Sequence, residues 1–153
     1  IAGSGGHSTQ ALILFNELKK SEHQIAFLLE RTDQLTINKL ADEQVYTAVA
    51  IRGKRESKVT TLIRIIVCFF QSLIIFFKAK PDVLISPGPG LAIPIFFIGK
   101  LFKKKLIFIE SWSRVTDKSI AGKFLYKKCN LFFIQWPELQ EIYPAGTYAG
   151  RLG

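Results

Sequence analysis

Strand-length runs with apolar interiors recur along this chain, separated by stretches of helical length. Asp82 to Ser86, Leu106 to Ile109 and Leu131 to Gln135 are such runs, and Gln24 to Leu29 and Val45 to Ile51 read as two more. A strand that is apolar on both sides needs cover on both sides, and strands that alternate with helices pair in parallel. The expected fold class is therefore α/β: a Rossmann-like parallel sheet with helices on both faces. Helices are expected over Leu91 to Phe102, with Pro94 tolerated in the first turn, and over Ser119 to Lys128. Trp136-Pro137-Glu138 opens a short helix, and a strand stub and a Gly150-Arg151 turn end the chain; residues 32–43 stay ambiguous. At 153 residues the chain can bury a core of its own, and residues 1–153 read as one domain. It contains no Met, so Ile1 reads as a residue whose native start lies upstream.

Ser57 to Lys78 reads as one long helix. Its polar residues Ser57, Arg64, Gln71 and Lys78 recur every seven positions and form a single narrow stripe. Nearly all the rest is apolar. Such a helix is buried on most sides or touches a bilayer. The run from Leu62 to Phe77 measures about 24 Å, short of the roughly 30 Å of a hydrocarbon core. It reads as packed against protein or dipping into a bilayer surface, not as a span.

Parallel sheets bind ligands beyond the carboxyl ends of their strands. Polar and glycine-rich segments fall there: Gly3 to His7, Arg52 to Ser57, Pro87 to Gly90, Glu110 to Arg114 and Gln135 to Glu138. The first runs from a hydrophobic stub into a helix that Ser8 or Thr9 can cap. Glycines there let a backbone approach a phosphate. Gly3 and Gly5 fit the start of a dinucleotide fingerprint, and Glu30 sits where a ribose-binding acid would. Ser8, however, replaces the third glycine, and no P-loop lysine follows. His7 stands at a helix N-terminus, whose dipole favours the neutral ring; this suits a general base or a simple loop hydrogen bond. Pro87-Gly88-Pro89-Gly90 is a stiff turn or a second anion-binding helix start. Glu110 either pairs internally with Arg114 or holds a sugar hydroxyl or a proton. Trp136 stacks on a sugar ring or packs.

Charge is distributed unevenly. Residues 1–51 carry 4 basic and 6 acidic groups, and the rest carry 17 and 6. The clusters Arg52, Lys54, Arg55, Lys58 and Lys100, Lys103, Lys104, Lys105 attract anionic lipid, phosphorylated ligands or nucleic acid. No nucleic-acid motif is present, and no Cys/His spacing suits a metal. Cys68 and Cys129 read as buried free thiols of a reducing compartment.

The stretches GSGGH, LISPGPG, IFIESWSRV, SIAGKFLY and FFIQWPEL with YPAGTYAGRLG together resemble one family. It is the acceptor-side, membrane-associated subunit of the split UDP-N-acetylglucosamine transferase that extends dolichyl-diphosphate-GlcNAc, with its bacterial capsule and exopolysaccharide homologues. The resemblance runs from Gly3 to Gly153. It implies the N-terminal half of a GT-B glycosyltransferase, paired with a separate donor-binding subunit that holds the UDP-sugar. It implies an inverting transfer to a polyprenyl-diphosphate-linked sugar at the cytoplasmic face of a membrane, and no cofactor. Carried over by position, Gly3, Ser4, Gly5, Gly6, Ser8, Gly88 and Gly90 would face the acceptor diphosphate, with Ser111 and Arg114 lining the cleft. Arg52, Arg55, Lys103, Lys104 and Lys105 would meet anionic lipid. His7, and after it Glu110, is the candidate base. Two other readings stay open: a stand-alone NAD(P)-binding module, and a non-catalytic membrane scaffold.

Overall fold

The computed structural model describes residues 1–51 and 57–152. Helix α1 spans Gly6–Leu18, strand β1 Ala26–Glu30, α2 Gln34–Lys39, β2 Gln44–Ala48 and α3 Lys58–Ala79. Strand β3 follows at Val83–Ser86, then α4 Ala92–Leu101, β4 Lys105–Ile109, α5 Ile120–Leu125 and β5 Leu131–Ile134. A 3₁₀ turn at Pro137–Gln140 and a two-residue strand β6, Thr147–Tyr148, complete the order. The ambiguous stretch 32–43 thus holds α2, capped by the Asp33 carboxylate on the Thr36 N–H.

All strand pairings are parallel, β1 with β2 and, in order, β3, β4, β5 and β6. The two pieces meet at the stub Ile1–Ala2. Ala2 bridges Leu29 in parallel, and the Ile1 nitrogen donates to the Ile85 carbonyl at 2.8 Å. The combined order is β2, β1, stub, β3, β4, β5, β6. That is the doubly wound order, with its reversal between the stub and β3. One apolar cluster, including Phe15, Phe27 and Leu29, lies under α1; a larger one, with Phe76, Phe96, Phe108 and Leu125, lies under α3, α4 and α5.

Helix α3 overturns the protein-buried expectation. Ser57 caps it, accepting from the Thr60 N–H at 3.1 Å. The middle of the polar stripe turns toward the protein: Arg64 and Gln71 are half-buried near the buried Cys68 and Ser72, the Gln71 amide oxygen accepts from the Val49 N–H at 2.9 Å, and the end members Ser57 and Lys78 are exposed. The apolar side faces outward, with Leu62, Ile63, Phe70 and Ile74 all more than half exposed. Gln71 thereby pairs a backbone N–H just past β2. By length and composition α3 could cross a bilayer, yet one flank rests on the sheet and on α4, so lipid cannot surround it.

Candidate functional site

The loops leaving the stub and β3 begin on either side of the sheet's reversal point. Helix α1 starts at Gly6, earlier than a Ser8 or Thr9 cap allows. Gly5 is the cap, at φ 68°, a conformation that side chains rarely adopt. Ser8 is therefore inside the helix and buried, its hydroxyl between the Gly3 carbonyl and the Asp33 carboxylate. The two loops interlock. A Cβ on Gly3 would lie 2.8 Å from Pro89 Cβ, and one on Gly88, at φ 104°, 3.1 Å from His7 Cε1. Gly6 lies against the Trp112 indole, 2.9 Å from Nε1 by the same measure.

His7 Nδ1 lies 2.8 Å from the Pro87 carbonyl oxygen. A carbonyl only accepts, so Nδ1 carries the hydrogen in this bond, and in the neutral ring the lone pair is on Nε2. No described residue hydrogen-bonds Nε2. The ring lines an open cleft of about 880 Å³ with Ser4, Glu30, Gly88, Gly90, Ser111 and Arg114, and the cleft's wall continues onto Lys58, Leu62 and Ile65 of α3. A second hollow, about 550 Å³, opens at the other ends of the strands between α1 and the end of α3. Its walls are largely apolar, and it holds none of the residues expected to act.

Glu30 is half-buried at the end of β1. Burial raises its carboxyl above the usual range, while a hydrogen bond from Ser4 and the nearby His7 pull the other way. Glu110 is fully buried and turns away from the cleft. One carboxylate oxygen accepts from the Ser111 N–H at 2.8 Å; the other accepts from Tyr143 Oη at 2.6 Å and the Ser119 N–H at 3.3 Å. Burial and the bond to Glu110 push the Tyr143 phenol well above its usual range. The pair with Arg114, one of the two readings of Glu110, does not form: the carboxylate draws its three donors from within, and Arg114 is exposed on the cleft wall. The sequence reading missed Tyr143, 33 residues from Glu110, and it missed Gly122, whose lack of a side chain gives that pair its space.

Trp136 packs. Its Nε1 donates to the Trp112 carbonyl at 2.6 Å, and Arg151 lies 4.6 Å from its ring centre. Lys103 and Lys104 form a turn at the far end of α3, where Phe102 meets Phe76 and Phe77, and Lys105 opens β4. Lys104 pairs with Asp82 at 3.0 Å. Arg52 and Arg55 lie outside the described residues. Among the described residues no cluster of metal-ligating side chains occurs, and both cysteines are free, Cys68 buried and Cys129 half-buried.

A doubly wound sheet with two interlocked glycine loops at its reversal point is a Rossmann-like fold, and the solved structures it resembles have the GT-B architecture. The crystal structure of MurG from Acinetobacter baumannii superposes with a TM-score of 0.73 at 17% identity, covering 98% of this chain and 42% of that one. A crystal structure of UDP-N-acetylglucosamine 2-epimerase gives 0.69 at 12%, covering 92% and 42%. These are likenesses of fold, and the chain spans about two fifths of either structure.

The family can be stated as well: this chain belongs to the family described as oligosaccharide biosynthesis protein Alg14 like, whose model matches residues 1–152. The human UDP-N-acetylglucosamine transferase subunit ALG14 is 32% identical over 174 residues, covering 99% of this chain and 81% of that protein. The Schizosaccharomyces pombe subunit alg14 is 26% identical over 166 residues, covering 97% and 79%.

Proposed function

We propose that residues 1–153 act as one acceptor-binding and membrane-recruiting domain, a subunit of a two-component inverting glycosyltransferase. The partner is a donor-binding subunit that holds a UDP-sugar. The acceptor is a sugar linked through a diphosphate to a polyprenol, at the cytoplasmic face of a membrane. The observation that carries this reading is the continuity of the cleft: it begins at the two glycine loops and runs onto the outward apolar side of α3. A diphosphate suits the free N–H groups at the start of α1 and α4, and Arg114 offers it a cation. A polyprenyl chain suits the side of α3 beyond Leu62. Lys103, Lys104, Lys105 and, in the undescribed segment, Arg52 and Arg55 supply charge for anionic lipid. The names of the relatives, transferase subunits all, support the pairing with another subunit.

In this reading the acceptor hydroxyl attacks the anomeric carbon of the donor. The new C–O bond forms as the bond to UDP breaks, the electron pair leaves with the diphosphate, and His7 Nε2 takes the hydroxyl proton. Glu110, enclosed by its three donors, positions the Ser111 wall of the cleft. The test is reconstitution: sugar transfer to a lipid-diphosphate sugar, measured with and without the donor subunit. Turnover is expected only with both, and His7→Ala should remove most of it. Full turnover by this chain alone would refute the split reading. An unimpaired His7→Ala complex would leave a scaffold.

A further inference from the structure

Among the described residues Glu30 is the one acidic side chain on the cleft wall, and the reaction just described does not use it. Its place is specific. From the position a Cβ on Gly3 would occupy, Glu30 Oε1 is 3.3 Å away and His7 Cδ2 3.6 Å away. The carboxylate and the Cδ2–Nε2 edge of the ring thus converge on one glycine that leaves room for both. The opposite edge, Nδ1 and Cε1, belongs to Pro87 and Gly88. Among the described residues the other groups facing Glu30 are few. Ser4 hydrogen-bonds it, Asp33 lies on its own turn, the buried Cys68 comes from α3, and Lys58 and Arg114 stand on the cleft wall.

We propose that Glu30 is the electrostatic partner of His7, standing beside the Cδ2–Nε2 edge without bonding it and balancing the positive charge that appears when Nε2 accepts the acceptor's proton. The need for it is physical. His7 is the second residue of α1, where the helix dipole opposes a cation on the ring. A base there gains from a fixed negative charge on the side away from its Nδ1 partner. Glu30 keeps that charge at a cost, since burial disfavours its ionised form; the Ser4 hydrogen bond offsets part of this. A carboxylate kept half-buried next to the ring, rather than pointing into water, is a poor choice for stability and a good one for steadying an imidazolium.

The proposal rests on His7 being the base, and the experiment separates the two. The carboxyl signals of the full chain are followed by ¹³C NMR against pH, with Glu30→Gln identifying the Glu30 signal. Because coupling is reciprocal, His7→Gln should move the Glu30 midpoint further up. An unchanged midpoint overturns the pairing. In the reconstituted two-subunit complex, Glu30→Gln should lower kcat by about tenfold to a hundredfold with KM nearly constant, and Glu30→Asp should recover part of the loss. A raised KM with kcat unchanged would make Glu30 an acceptor contact and overturn the proposal. So would an unaltered kcat. A fully active His7→Gln complex overturns the base reading, and this proposal with it, whatever the NMR result. Loss of fold is excluded as a cause if Glu30→Gln unfolds at no lower urea concentration than the parent. That is the expected result, because the substitution removes a half-buried charge.

Discussion

Gly122→Ala tests the buried centre beneath the cleft. A methyl group there would overlap both Glu110 Oε2 and the Tyr143 phenol oxygen, and it would stand 3.0 Å from Ser119 Oγ. Oε2 must then give up its bonds from Tyr143, at 2.6 Å, and from the Ser119 N–H, at 3.3 Å, leaving Oε1 with Ser111 alone. A hydrogen bond to a charged group contributes about 1.5–3 kcal/mol, and the long one falls at the bottom of that range. Overpacking a tight site adds about 1–3 kcal/mol. Alanine's better helix propensity returns about 1 kcal/mol. The net loss is expected at about 3–6.5 kcal/mol, a large part of the roughly 5–15 kcal/mol that holds a small domain folded. Urea unfolding followed by tryptophan fluorescence measures it directly, because Trp112 and Trp136, joined by a 2.6 Å bond, border this centre. Tyr143→Phe should cost about 1.5–3 kcal/mol by itself. The double variant should cost less than the sum, since the phenol oxygen no longer opposes the methyl group. A Gly122→Ala chain within about 0.5 kcal/mol of the parent, or strict additivity in the double variant, would sink the reasoning.

Two further outcomes are expected. Phe70→Asp, alone or with Ile66→Asp, should weaken binding to anionic vesicles by at least tenfold per site, judged from roughly 1.5–3 kcal/mol for each large apolar side chain transferred from water; both residues are exposed, so the urea midpoint should not fall. Cys68, whose thiol burial pushes up to about 11, should resist Ellman's reagent at pH 8 until the chain unfolds. The same shift sets a sign: the unfolded chain releases that proton first, so stability should decline as pH rises from about 9, the ordinary value, to about 11.

Much of the architecture could be read from residue order. The apolar runs fall within three residues of the observed strands, and the polar segments among the described residues fall at their carboxyl ends, because period and punctuation are local properties. What escaped was set by partners distant in the chain. Ser8 looks like a cap until Asp33, 25 residues on, draws it into the interior, and the helix then starts at Gly6. Glu110 and Arg114 look like a pair until Tyr143 supplies a better donor. Helix α3 shows most clearly what composition leaves undecided. Its seven-residue polar stripe is plain in the sequence, but not that its middle turns inward, where Gln71 meets the Val49 N–H. Glu30 stands in the position of a ribose-binding acid, and only the space left by Gly3 places its carboxylate beside the histidine.

The bond from His7 to Pro87 has a consequence for how this site can fail. The group that fixes the tautomer is a main-chain oxygen. Every amino acid carries one, so no single codon change at position 87 deletes it. Damage can come only through the path of the backbone, and Gly88, at φ 104° with Ser111 and His7 close around it, is the residue that holds that path. The orienting contact is therefore robust to mutation at the residue that makes it and fragile at the residue next door.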